Sequence, residues 1–210
     1  MAQVHAGDVD VLVGTQMVTK GHDFRRITLV AAINPDSALY SSDFRAPERL
    51  FSLLMQAAGR AGRDAAHAGS SQMWVQTWNP HHPLFEALRK HDFPSFAAEQ
   101  LRERAAAGMP PFAFQALVRA EARTQAAAQA WLQAARDGAE SLNPGGRVQL
   151  YAPVPMGMQR VANVERAQLL VESASRPALQ RFLASWQEVL HALHEPGLIR
   201  WAVDVDPLAV

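Results

Sequence analysis

Gln56, Arg60 and Arg63 lie in the run Gln56-Ala57-Ala58-Gly59-Arg60-Ala61-Gly62-Arg63, which has the form Q-x-x-G-R-x-G-R. The arginine side chain is a rigid fork of donors that matches the oxygens of a phosphate. Two arginines three residues apart, with glycines beside both, can bring two such forks to one crowded anion. Glycine lets the backbone approach closely and adopt positive φ. The same letters also suit a glycine-rich helix end with solvated arginines, and motifs this short recur by chance.

A second polar set lies upstream. Val9–Val13 reads as a short apolar strand that ends in Gly14-Thr15-Gln16, and the loop continues through Lys20, Gly21, His22, Asp23 and Phe24. A strand whose carboxyl end opens into a polar loop is how α/β proteins present a ligand site. Ile27–Ile33 reads as a second strand, closed by the turn residues Asn34-Pro35-Asp36. A helix is expected from near Pro47, with Leu50, Phe51, Leu54 and Met55 on one side, and a further strand at Gln72–Thr77. The order strand, loop, strand, helix, arginine motif, strand would gather both motifs on one rim of a doubly wound parallel sheet.

The composition bounds the classes of function. The 210 residues suffice for one large or two small domains, and 49% of them are hydrophobic. A formal net charge of zero argues against a polybasic binder but leaves room for a local basic groove. The absence of cysteine excludes a disulfide scaffold and a Cys-ligated zinc site in this chain. Met1–Gly7 shows no basic and then apolar leader, and no apolar run reaches about 18 residues, so neither a signal peptide nor a membrane helix is expected.

Asn79-Pro80-His81-His82-Pro83 breaks the pattern and marks a boundary; its adjacent histidines read as linker rather than metal ligands. Helices follow at Leu84–Leu88 and Phe93–Ala107, the second capped by Asp92 and stopped by Gly108-Met109-Pro110-Pro111. Beyond it the reading is strand 112–122, helix 124–141 capped by Thr124, strand 148–151, an extended proline-containing loop 152–163, strand 166–172, helix 175–193 and strand 198–205. This is a βαββαβ, ferredoxin-like order. Arg160 and Arg166 flank the long loop as candidate DNA contacts. Arg176 and Gln180 lie one turn apart at the start of the last helix, where an arginine would attract a carboxylate. Asp204 and Asp206 read as strand-end carboxylates rather than a metal pair.

The run Gly14-Thr15-Gln16-Met17-Val18-Thr19-Lys20-Gly21-His22-Asp23-Phe24 resembles motif V of the PriA family of primosomal replication-restart helicases. Asp43-Phe44-Arg45, Glu48-Arg49 and the arginine motif, which resembles motif VI of superfamily 2 helicases, continue it in order and spacing. So do Met109-Pro110-Pro111-Phe112, Ala152-Pro153-Val154-Pro155 and the run Trp201–Pro207. The resemblance covers essentially the whole chain. It implies part of the second RecA-like helicase lobe in residues 1–78, a helical linker in 79–108 and an α/β C-terminal domain in 109–210.

The resemblance also implies roles. Arg63 would be the arginine finger on the γ-phosphate, Arg60 a second phosphate or inter-lobe contact, and Gln56 the group that orients the triphosphate or attacking water. Such fingers are worth on the order of 10³–10⁵ in rate in related enzymes. Gly21 and Asp23 would face the nucleotide, and Thr15 and Lys20 the DNA backbone. Arg176 and Gln180 match positions thought to hold the acidic C-terminal tail of single-stranded-DNA-binding protein. The implied function is that of an ATP-dependent 3′-to-5′ DNA helicase acting on forked and single-stranded DNA with other primosome proteins, in the cytoplasm at the nucleoid. ATP, Mg²⁺ and zinc would belong to the full-length enzyme. This chain has no P-loop, no recognisable magnesium site and no cysteine-rich zinc segment. It therefore resembles only the last third of the family, and is expected to be inactive as an ATPase alone. The alternative is a non-catalytic DNA- or protein-binding module.

Overall fold

The computed structural model describes residues 9–15, 27–41, 43–59, 71–143 and 145–208. It is mixed α/β, with a parallel two-stranded sheet and an antiparallel five-stranded sheet. The chain divides into two compact units, residues 1–101 and 102–210.

Unit 1 contains β1 (Leu29–Ile33), the short helix α1 (Asp36–Leu39), α2 (Ala46–Ala58), β2 (Gln72–Gln76) and α3 (Pro83–Arg89). α4 (Phe93–Ala106) begins in this unit. β1 and β2 pair in parallel, with Leu29 opposite Gln72 and Ile33 opposite Gln76. Both strands alternate in exposure, as a period of two requires. Ala32, Met73 and Val75 pack on the core of Leu39, Leu50, Phe51, Leu54, Leu84, Phe85, Leu88 and Phe96, while Leu29, Ile33 and Trp74 are exposed. Phe51 stacks on Phe96 with ring centroids 4.4 Å apart. Asp36 ties the ends of the two strands together. It accepts hydrogen bonds from Thr77 Oγ1 (2.8 Å), Asn79 Nδ2 (3.1 Å) and the Trp78 N–H (3.3 Å). Burial pushes its carboxyl up, but these three donors outweigh that and hold it below the ordinary range. His82 caps α3, its Nδ1 accepting from the Leu84 N–H at 3.2 Å.

Unit 2 contains β3 (Phe114–Ala122), α5 (Gln125–Gly138), a 3₁₀ turn (Glu140–Leu142), β4 (Gln149–Leu150), β5 (Val154–Val161), β6 (Val164–Ser173), α6 (Arg176–Ala192) and β7 (Leu198–Val205). The sheet order is β4–β6–β3–β7, with β5 also on β6, and every pairing is antiparallel. Both long helices start on a hydroxyl cap: Thr124 accepts from the Ala127 N–H, and Ser175 from the Ala178 N–H. Ala116, Val118 and Ala120 of β3, with Ala167, Leu169 and Val171 of β6, face a core completed by Ala128, Trp131, Leu132, Leu179, Phe182, Trp186 and Leu190. The small residues of β3 leave room for the tryptophans. Trp131 stacks on Trp201 of β7, and Trp186 Nε1 donates to the Ala135 carbonyl at 2.8 Å. The helices also approach closely: a Cβ on Gly138 would lie 2.7 Å from Val189 Cγ1.

Two expectations are corrected. Residues 9–15 form no strand; Val11 and Val13 are exposed, and no described strand runs beside them to take up their backbone groups. Residues 154–161, read as loop, form β5 and make a hairpin with β6. The turn is Ala162-Asn163, both at positive φ (48° and 65°), the handedness that two-residue hairpin loops require. Register shifts between Pro155 and Arg160, so the Met156-Gly157-Met158 stretch breaks the ladder and hides the strand's alternation.

Candidate functional site

The helix face of the unit 2 sheet is filled with apolar side chains, so chemistry falls to the residues of opposite parity. Glu121 of β3 stands in register with Arg166 of β6 on one side and Arg200 of β7 on the other. Its carboxylate accepts from Arg200 Nε (2.7 Å) and Nη2 (3.0 Å), and Arg166 Nε lies 3.6 Å away. The Arg200 hydrogen bond, followed by the charges of Arg200 and Arg166, outweighs burial and holds the Glu121 carboxyl below its ordinary range. The same contact raises the Arg200 guanidinium. On this face Arg119 pairs with Asp204 at 3.1 Å, and Gln115 Nε2 donates to Glu172 at 2.8 Å. Burial, and then the Glu172 charge, raise the Tyr151 hydroxyl. Three arginines on three adjacent strands thus share one face with two carboxylates between them.

Arg160 lies elsewhere. It is opposite Glu165 in the β5–β6 hairpin, so it projects to the face opposite Arg166. Its Nε is 3.6 Å from Glu165, and its Nη2 donates to Asn163 Oδ1 at 3.0 Å. Arg176, at the start of α6, lies over the Phe114 ring with its guanidinium carbon 4.6 Å from the ring centroid, and pairs with Asp206 at 2.8 Å. Gln180 is exposed one turn further on.

In unit 1, Gln56 is exposed near the end of α2, opposite the buried Leu50, Phe51, Leu54 and Ala57. Gly59 closes that helix at φ −68°, and an added Cβ would make only ordinary contacts of 3.6–3.7 Å, so neither its φ nor its space demands glycine. Asp43, between the two motifs, accepts from the Arg45 N–H at 2.8 Å and pairs with Arg49 at 2.5 Å. Thr15 is exposed and outside any strand. Arg60, Arg63, Lys20, Gly21 and Asp23 lie outside the described residues. The described residues therefore do not build a nucleotide site on their own. An apolar cleft of about 670 Å³ beside β1 and β2 is lined by Ile33, Trp74, Gln76, Phe85, Arg89 and His91 among others, and by none of the expected site residues. Among the described residues no group of three His, Asp or Glu could hold a metal ion, and no helix is long and apolar enough to cross a membrane.

Arg119, Glu121, Arg200 and Phe114 were missed by sequence reasoning, and Asp206 was read only as a strand-end carboxylate. The alternation Gln115, Leu117, Arg119, Glu121 carried a usable signal, because a charged pair two residues apart on one strand must share a face. Their partners lie far along the chain and needed the register.

A family model described as primosomal protein N C-terminal domain matches residues 105–208, a span that covers all of the five-stranded sheet and both helices packed on it. Replication restart protein PriA of Haemophilus influenzae is 41% identical over 207 residues, which is 99% of this chain and 28% of that protein. The PriA proteins of Synechocystis (34% identical; 99% of this chain, 24% of theirs) and Treponema pallidum (37%; 100% of this chain, 31% of theirs) are similar throughout as well. The chain belongs to the PriA family and corresponds to a C-terminal part of its members.

Proposed function

We propose that this chain is the C-terminal part of an ATP-dependent 3′-to-5′ DNA helicase that recognises forked DNA and initiates primosome assembly for replication restart in the cytoplasm. The observation that carries the reading is similarity over essentially the whole chain to proteins named for replication restart. On this reading residues 1–78 belong to the second RecA-like lobe and 79–108 form a helical linker. Residues 109–210 are a ferredoxin-like domain, a reading supported by the antiparallel order β4–β6–β3–β7 with both helices packed against one sheet face. Gln56, Arg60 and Arg63, with Gly21 and Asp23, contribute half of a site for ATP and Mg²⁺; a P-loop on another part of the full-length protein supplies the rest. Zinc would belong to that other part too. Arg166 and Arg160, with Thr15 and Lys20, contact the DNA backbone, and Arg176 with Gln180 holds the acidic tail of single-stranded-DNA-binding protein.

The test is binding of the chain to fluorescent forked and single-stranded DNA over a salt series. Arg166→Ala is expected to weaken fork binding and lower the slope of log K against log salt by about 0.9 for each duplex phosphate that Arg166 neutralises, while Arg63→Ala is neutral in this chain. An Arg166→Ala chain that binds with unchanged slope removes Arg166 from the DNA interface. A second reading, a self-contained DNA- or protein-binding module, is favoured by the family match to 105–208 alone. ATP hydrolysis on adding a P-loop-bearing lobe to this chain separates the two.

A further inference from the structure

The partner site proposed at Arg176 already holds a carboxylate. Asp206 follows β7 at φ 53°, in the left-handed region, and its N–H donates to the Gln115 carbonyl at 2.9 Å. That turn brings the Asp206 carboxylate to Arg176 Nη1 at 2.8 Å while the guanidinium lies over Phe114. The Arg176 and Asp206 side chains are 50% and 44% exposed, so the pair is open to exchange with solvent and with other anions. Gln180 stands exposed to take a further contact. The Phe114 ring attracts the guanidinium whether or not Asp206 is present. Asp206 neutralises the cation an acidic ligand needs.

We infer that Asp206 is an internal competitor that occupies Arg176 and attenuates its affinity for an acidic protein tail; the inference rests on the proposed partner role of Arg176. An incoming carboxylate must displace Asp206 or share the fork with it. The arrangement keeps the contact weak and exchangeable.

The experiment measures binding of a fluorescein-labelled peptide with the acidic C-terminal tail sequence of single-stranded-DNA-binding protein to the 210-residue chain. Asp206→Asn removes the charge and tolerates the left-handed backbone; Asp206→Gly removes the side chain and is strain-free there. Both are expected to tighten binding about two- to fivefold, the worth of a solvent-exposed ion pair, and the gain is expected to shrink with added salt. Arg176→Ala is expected to abolish binding. If both Asp206 variants bind as wild type or more weakly while Arg176→Ala fails to bind the peptide, Asp206 positions rather than competes; the inference is overturned and the partner site stands. If Arg176→Ala binds like wild type, or no chain binds, the partner reading fails and takes the inference with it.

Discussion

Replacing Glu121 with Gln keeps the volume and removes the charge between Arg166 and Arg200. Arg200 is 73% exposed, so water can replace its hydrogen bond and that pair contributes little. Arg166 is 24% exposed and Glu121 18%, so theirs is the costlier half. The amide of Gln turns a donor toward one guanidinium, and a partly buried polar group left unpaired costs about 1–3 kcal/mol. Taking the lower end for a contact at 3.6 Å, Glu121→Gln is expected to destabilise unit 2 by about 1–2 kcal/mol at pH 7. The assay is urea unfolding followed by tryptophan fluorescence, since Trp131 and Trp186 are buried in this unit. With m of about 1–3 kcal/mol/M, the midpoint falls by roughly 0.3–2 M. Acid supplies the discriminating condition. The folded Glu121 carboxyl lies below its ordinary value, so its stabilisation is complete above the unfolded value of about 4.3 and fades as pH falls through the lower folded one. The wild-type advantage over Glu121→Gln is therefore full at pH 7 and shrinks towards zero in strong acid. An advantage that is the same at pH 7 and pH 3, or a Gln variant as stable as wild type at pH 7, would refute an electrostatic role for the row.

Gly138→Ala is expected to destabilise unit 2 by about 1–3 kcal/mol through overlap with Val189, and to become neutral or mildly stabilising in a Val189→Ala background; equal effects in the two backgrounds would sink the contact. Ala162→Gly relieves a left-handed alanine at the β5–β6 turn and is expected to raise unit 2 stability by about 0.5–1 kcal/mol; a decrease by the same unfolding assay would count against that turn. Asp36→Ala removes the acceptor of three hydrogen bonds and is expected to increase hydrogen exchange at Thr77–Asn79 first, leaving β3 and β6 protected; a uniform fall in protection would contradict it.

Much of unit 2 was legible because its signals are local. Thr124 and Ser175 announce their helices, Pro196-Gly197 separates α6 from β7, and the inner positions Phe182, Trp186 and Leu190 recur at helical spacing. β5 was not legible: Pro155 and Gly157 read as breakers, and Ala162-Asn163 carries no glycine to betray a hairpin. Val9–Val13 has a strand's composition, but strand formation is a property of neighbours as well as of sequence. The runs Gly14–Phe24 and Gln56–Arg63 stood out in the sequence as resemblances to helicase motifs, whereas the Arg200–Glu121–Arg166 row did not stand out, because a salt bridge across 79 residues has no spacing rule.

β3 lies between β6 and β7, so the middle of the unit 2 sheet is complete only when its last strand arrives. A ribosome emits β3 about 80 residues before β7, and until then Ala116, Val118 and Ala120 have a free edge on one side. That waiting edge presents unpaired backbone N–H and C=O groups. A nascent chain arrested in α6 is expected to remain sensitive to protease throughout β3, and resistance is expected to appear in a single step as Leu198–Val205 clear the exit tunnel.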